Sequence, residues 1–567
     1  MANLRDFAHA PSHARTSVVF VLLLTASLFT PVIARAEEGL AEQATAAYRA
    51  GDFGHSAELF QQAIESGDTD PALPYNAACA LALAGREDAA IAQLKAAIRN
   101  GFFNTRQLEL DPDLESLRKR PDWSTVMQLA QREQVAENKR WGADVFASPY
   151  RPTLTETEKQ AGLALIWAEA RYGFANFDIS SGAQNWNARY LEFIPRVSAA
   201  KTTIDYYWEL KAFIAGLHDG HSNVSFPPEV RNGLYGRPPM RTERVGDDVV
   251  ITRVLDSSLP VQVGEVIRTI NGQPVDEYAG SHVAPYVSAS TPQDRNVRIY
   301  DYELLFGPAD QPLTLGIVDA DGGSRSVTVS RRHKKSTGQK KAANSQNSDV
   351  PFQLRWEPND IAYVQLKSFN SMETANLWHQ HYEEIRQRAR GIVLDVRDNG
   401  GGNSGIGYAV LADLIEQPTK TSSQELAVYR STLRAWGFGQ RRDPLQVADL
   451  SPSGNPHFKG PVAVLIGPHT YSAAEDFVVA FEMAKRGKLI GSATGGSTGQ
   501  PLMFLLPGGG SARICTKRDR FADGREFVGV GIQPDIEVHA TLKSIRAGED
   551  PVLERALDWV DEQRHTP

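Results

Sequence analysis

The chain has 567 residues, a formal net charge of −8 and a pI near 6.0, which argues against nucleic acid as its main partner. With 41% hydrophobic and 23% charged residues it has the make-up of a soluble globular protein. Its length exceeds what one core holds, so three or four domains are expected.

Residues 1–36 read as a secretory signal peptide rather than as part of the fold. Arg5 and Arg15 supply a positive leader, Val18 to Phe29 an apolar segment, and Ala34-Arg35-Ala36 a small-x-small cleavage site. The mature chain is predicted to start at Glu37 and to be exported, to a periplasm or to the extracellular space. The apolar stretch is shorter than the roughly 20 residues a spanning helix needs, and no later segment is apolar enough to span, so no membrane span is expected after cleavage. Cys79 and Cys515 fall in different predicted domains and read as two lone buried thiols.

Residues 37–135 repeat themselves. Gly51, Ser56, Ala57, Phe60 and Ala63 are matched 34 residues later by Gly85, Ala90, Ile91, Leu94 and Ala97. That is the tetratricopeptide period, in which paired helices alternate small and large residues. An all-α repeat module is predicted, either recruiting a protein partner or serving as a packing platform.

A helical region over 155–230 follows, with Leu163, Ile166, Trp167, Ala170 and Phe174 on one face and a second helix from about Thr203. This helix runs into Gly216-Leu217-His218-Asp219-Gly220-His221-Ser222, which places His221 on a loop before a strand. Here a histidine serves no packing need and its neighbours' oxygens can fix its tautomer; His218 is the decoy. Residues 238–332 alternate as short strands around an Asn271-Gly272 turn. The run Gly264 to Val275 resembles the corresponding turn of PDZ domains, which receive chain termini by strand addition. The basic, Ser/Gln/Asn-rich stretch 333–350 reads as a flexible linker.

Residues 351–545 are predicted to be an α/β catalytic core, with 546–567 a C-terminal helix. Ile361 to Leu366 and Gly391 to Val396 read as strands, and Met372 to Arg390 as a helix between them. Asn399-Gly400-Gly401-Gly402 then forms a turn whose N–H groups can face a ligand. The spacing matches neither nucleotide fingerprint. Val462 to Ile466 reads as a buried strand and Ala473 onward as a helix, which puts Ser472 at a sharp strand-to-helix junction. Free N–H groups and the positive end of a helix dipole suit a nucleophile there, although serine is equally at home as a helix cap.

Four segments in order carry a resemblance: Leu217–His221, Leu394–Gly402, Tyr471–Glu475 and Gly529-Val530-Gly531-Ile532-Gln533-Pro534-Asp535. Together they resemble the tail-specific (C-terminal processing) peptidase family, over roughly residues 155–540. The resemblance implies a crotonase/ClpP-like ββα-spiral catalytic core, with a helical lead-in and a PDZ-like β insert. Where the bacterial processing branch carries its dyad lysine, this chain has Ser497, so the chain is more similar to the branch of the tricorn core protease and the interphotoreceptor retinoid-binding protein repeats. That resemblance implies Ser472 as nucleophile, His221 as general base, and the N–H groups of Gly401 and Ala473 as an oxyanion hole. Gly220 stands where the tricorn protease has a serine, and Val528 aligns with that protease's orienting glutamate. Glu526 is the nearest carboxylate and is carried as the orienter, with Ser497 and Asp219 as the other candidates.

The expected activity is hydrolysis of peptide bonds in polypeptide substrates by an exported serine endopeptidase needing no cofactor or metal, its PDZ-like domain presenting or gating substrate. A non-catalytic peptide-binding homologue and an esterase or other acyl transferase are the alternatives.

Overall fold

The computed structural model describes residues 39–68, 72–180, 182–332, 350–439, 441–445 and 447–564. The predicted leader and all but the last residue of the predicted linker lie outside them. The chain divides into two compact units, Met1–Arg140 and Trp141–Pro567.

The first unit is all-helical and opens with α1 (Leu40–Arg49), α2 (Phe53–Glu65), α3 (Leu73–Leu83) and α4 (Glu87–Arg99). The starts of α2 and α4 are 34 residues apart, and Ser56, Ala57, Phe60 and Ala63 are buried, as are their counterparts Ala90, Ile91, Leu94 and Ala97. Small residues let the helices approach: the Ser56 hydroxyl donates to the Ala44 carbonyl of α1 at 2.8 Å. Gly51 and Gly85 hold matching left-handed conformations (φ +79° and +73°) that close α1 and α3.

The second unit begins with α5 (Glu156–Gly173), α6 (Trp186–Ala199) and α7 (Thr203–Ala215). Thr155 and Glu158 cap α5 reciprocally, which fixes its start where the sequence marks it. α7 delivers the chain to the His221 loop and then to β1 (Asn223–Ser225). Next, β2 (Met240–Val245), β3 (Asp248–Val254), β4 (Val266–Ile270), β5 (Leu313–Val318) and β6 (Ser324–Val329) form one antiparallel sheet in chain order. Asn271 and Gly272 both take positive φ (51° and 82°) and turn β4 back onto Gln273–Pro274. The sheet buries Ile251, Ile267, Ile270 and Leu315 together with Val275 and Ala279 of α8 (Val275–His282).

The central sheet holds β7 (Phe352–Glu357), β8 (Ile361–Leu366), β9 (Gly391–Asp395), β10 (Val462–Ile466), β11 (Lys488–Gly491) and β14 (Ile536–Glu537). In space they run from β7 to β14 in chain order; all neighbours are parallel except the β7–β8 hairpin. Two further strands, β12 (Pro501–Leu505) and β13 (Ser511–Cys515), lie between β11 and β14 in sequence and pair with β1 in a separate antiparallel sheet, in the order β1-β13-β12. Alternation sends Ile392, Leu394 and Val464 into one core with α9 (Glu373–Arg388), α10 (Ser404–Ala412) and α11 (Ala473–Met483). It sends Val393, Ala463 and Leu465 into another with Val552, Ala556 and Val560 of α12 (Pro551–Arg564). Each such Val, Leu or Ile contributes about 1.5–3 kcal/mol on burial.

Register then sets the geometry of function. Asp395 pairs with Leu465 and Ile466 with Gly491, so β9, β10 and β11 end flush. The loops leaving these three ends carry the glycine run, Ser472 and Ser497, and therefore meet on one edge.

Candidate active site

Ser472 terminates the loop after β10 and immediately precedes α11. Its backbone is left-handed in φ and extended in ψ (57°, −127°), a conformation side-chain-bearing residues rarely adopt and that costs of order 1–3 kcal/mol. Two N–H···O bonds help to hold it there, from Ser472 N to Ser497 O (3.1 Å) and from Tyr471 N to Asn399 O (3.0 Å). The side chain makes no capping hydrogen bond; the N–H of Glu475 goes instead to the Ser472 carbonyl oxygen, at 2.7 Å. Ser472 Oγ lies 3.0 Å from His221 Nε2.

His221 is brought there by β1, which pairs Asn223 with Arg513 of β13. The loop before it is fixed by Asp219, whose Oδ1 accepts from the His221 backbone N–H (3.0 Å) and from the Ser222 hydroxyl (2.8 Å). Asp219 thus shapes the loop and leaves the ring to other partners. His221 Nδ1 lies 2.9 Å from Ser497 Oγ and 3.2 Å from the Tyr471 hydroxyl, and that hydroxyl donates to Ser497 Oγ at 2.7 Å. Burial first, then the positive charges of Arg513, Arg298 and Lys517, hold the imidazole far below its ordinary range, at about 3. It is therefore neutral at physiological pH and able to accept a proton.

Glu526, the carboxylate assigned as orienter from sequence, sits elsewhere. It bonds Arg518 at 2.7 Å and Arg520 at 2.5 Å, and Arg518 is itself shared with Asp178. The charge of two neighbouring arginines outweighs any pull toward a neutral ring, and the place beside Nδ1 is filled by Ser497 and Tyr471.

The glycine run closes the other side. A Cβ on Gly401 (φ +95°) would come within 2.7 Å of Ser472 Cβ and 2.9 Å of Ala473 N, so only glycine lets the two loops touch. The Gly401 N–H itself donates to Asn399 Oδ1 at 2.9 Å, an engagement the sequence does not reveal. Among the described residues, no acceptor takes the N–H of Ala473, nor those of Gly400 and Gly402 in the glycine run.

Glu475 has no role in the sequence reading, although Ser472-x-x-Glu475 carries the capping-box signature. It is fully buried and accepts from Ser472 N (3.3 Å), Ser497 N (2.9 Å), Gly496 N (2.8 Å) and the Thr494 hydroxyl (2.6 Å). Burial pushes its carboxyl up to about 8 against those four donors. Glu475 ties the helix that follows Ser472 to the loop whose Ser497 meets His221.

Residues 288–294 fasten both loops. Ser288 Oγ accepts from Asp219 N (3.0 Å), Ser290 Oγ accepts from Gly220 N (3.1 Å), and the Thr291 hydroxyl donates to Gly495 O (2.8 Å). Lys488, at the start of β11, is bound to Asp535 at 2.9 Å. Cys79 and Cys515 are buried free thiols, and no described helix is long and apolar enough to cross a membrane.

The strained serine, its histidine and the adjoining donors meet at one edge of the sheet, and about a third of the chain matches a known family in sequence. Residues 360–538 match Peptidase family S41, a segment containing Ser472, the glycine run and Glu475 but not His221. The chain is a serine-type peptidase homologue. It is similar to the C-terminal processing peptidase, chloroplastic, of Tetradesmus obliquus, with 26% identity over 178 residues; this covers 31% of the chain and 35% of the relative. The match thus spans about a third of that curated relative's length. In fold, the chain is similar to mature CPAF complexed with lactacystin (TM-score 0.55, 13% identity, covering 72% of this chain and 97% of that one). It is similar also to mature CPAF alone (TM-score 0.54, 13% identity, 72% and 96%). The fold likeness extends well beyond the segment matched in sequence.

Proposed function

We propose that the chain is an exported serine endopeptidase acting on polypeptide substrates, with Ser472 as nucleophile and His221 as general base. The observation that carries this reading is the 3.0 Å approach of Ser472 Oγ to His221 Nε2 on a backbone strained at the serine. His221 carries its proton on Nδ1, directed at Ser497 Oγ, which leaves Nε2 to accept from the Ser472 hydroxyl. Ser472 Oγ attacks the peptide carbonyl carbon as its proton passes to Nε2. The developing oxyanion is held by the N–H of Ala473 and one from the glycine run. Nε2–H then protonates the leaving amine, and a water activated the same way releases the acyl group from Ser472. Every step uses groups of the chain itself, without a cofactor.

The sheet of β2 to β6 with α8 acts as a PDZ-like domain that presents or gates substrate. The bonds from Ser288, Ser290 and Thr291 to the two catalytic loops support this, since they tie the segment after α8 to both. The 34-residue helical repeat acts as a tetratricopeptide-like platform for a protein partner. Placement in a periplasm or outside the cell rests on the leader sequence.

Covalent labelling by a fluorophosphonate tests the reading. Label is expected on the wild-type protein, absent from Ser472→Ala and strongly reduced in His221→Ala. Well-folded protein that takes no label, yet keeps binding peptide after Ser472→Ala, would instead be a binding homologue.

A further inference from the structure

A catalytic histidine whose Nδ1 meets only hydroxyls needs something else to fix its plane. In Ser–His–carboxylate sites an anion does this; here the two candidate carboxylates, Asp219 and Glu526, are committed to a backbone N–H and to arginines. The ring is instead covered by Tyr471, the residue before the nucleophile. The two rings are stacked with centroids 4.9 Å apart and planes 15° apart. The phenol is half-buried, its hydroxyl reaches both Ser497 Oγ and His221 Nδ1, and the Arg298 guanidinium lies 5.3 Å from its ring centre. Arg298 is in turn fixed by Asp294 at 2.7 Å.

The space occupied by the hydroxyl is that of a missing side chain. A Cβ added to Gly220 would overlap Tyr471 Oη and come within 2.7 Å of Arg298 Nη2 and 2.8 Å of Asp294 Oδ2. Gly220 does not owe its identity to a left-handed backbone, because its φ is not positive. Its lack of a side chain is what admits the phenol.

We propose that Tyr471 is a positioning residue for His221: its ring sets the imidazole plane, and its hydroxyl, with Ser497, holds Nδ1–H so that Nε2 faces Ser472, in room left by Gly220. This inference rests on the serine-peptidase reading above. It assigns the work of an orienting carboxylate to a neutral phenol–hydroxyl pair. The phenol stays protonated and donating, since burial raises its ionisation well above the ordinary range.

The test is Tyr471→Phe in the full-length protein, alone and with Ser497→Ala. Phenylalanine keeps the stack, so a purely structural role leaves kcat unchanged. The expected result is a kcat lower by about 5- to 50-fold with KM within twofold, and a fluorophosphonate labelling rate lower by the same factor. Because the two hydroxyls act as one unit, the double variant falls below the worse single by less than about threefold. Wild-type protein that labels and hydrolyses, beside a Tyr471→Phe variant within twofold of its kcat, overturns this inference alone. A wild-type protein that leaves Ser472 unlabelled overturns the peptidase reading and this inference with it.

Discussion

Glu475, three residues beyond Ser472, accepts at Oε2 the backbone N–H of Ser497, the residue whose hydroxyl meets His221, at 2.9 Å. One buried side chain therefore fixes the relative position of the groups on both sides of the imidazole. Four donors converge on a single carboxyl, so every substitution there leaves some of them without an acceptor in a dry interior.

Glu475→Gln is expected to cost about 1–3 kcal/mol of stability, because its amide N–H group would face the Gly496 N–H or the Ser497 N–H. It is also expected to reduce kcat by at least about tenfold through loss of loop position. Denaturant melts alongside initial rates check both. A variant with unchanged midpoint and unchanged kcat contradicts the tether.

The depressed histidine predicts a broad pH profile. His221 works as a base only when unprotonated, and its folded-state value lies near 3 rather than 6.5. The acid limb of kcat/KM is expected below pH 5, where an exposed histidine would place it between 6 and 7. Arg513→Gln removes the cation that acts most strongly on the ring among the three and is expected to move the limb upward. The same shift has a stability sign. Between pH 6.5 and 3 the unfolded chain binds a proton here that the folded chain refuses, so stability falls as pH drops through that window. An acid limb near pH 6.5 in wild-type protein would refute the assignment.

Ser497→Ala and Glu526→Gln separate the candidate orienters. Ser497→Ala removes the hydroxyl at Nδ1 and is expected to lower kcat about 10- to 100-fold with little change in KM. Glu526→Gln is expected to leave kcat within about twofold, since its carboxylate serves Arg518 and Arg520. The opposite ranking in steady-state kinetics would return the orienting role to Glu526.

Gly220→Ala forces a methyl group into the Tyr471 hydroxyl and the Arg298–Asp294 pair. Overpacking in such a place costs about 1–3 kcal/mol. It is expected to slow labelling of Ser472 by at least about tenfold, measurable by gel fluorescence over time; labelling at the wild-type rate would show that the loop absorbs the methyl group without cost.

Much of this was legible in the sequence because it is written in local punctuation. The strand over Ile361–Leu366 and the one over Val462–Ile466 are found at the residues their apolar runs mark, and Gly467-Pro468 stops the second one short of Ser472. The helix expected over 372–390 forms at Glu373–Arg388, its ends trimmed by the chain's turn into and out of the sheet. The nucleophile and the glycine run follow parallel strands that pair directly, so one periodicity places both. His221 required more than that, because it comes from another sheet 251 residues away and was reached through motif resemblance. The sequence points to Glu526 as third partner, but nearness in sequence says nothing about which cation claims a carboxylate first, and here Arg518 and Arg520 do. Glu475 and Tyr471 sat inside a quoted motif, yet their roles exist only once the loop over residues 494–497 folds back on them.

The backbone at Ser472 has a consequence for how this position can change. A φ of 57° with ψ of −127° penalises any side chain, and glycine escapes the penalty. On the proposed reading, Ser472→Gly is therefore expected to remove the reacting hydroxyl and relax the turn together, giving an inactive protein that folds at least as well as the wild type. If Ser472 is the nucleophile, stability and activity thus pull in opposite directions at this residue.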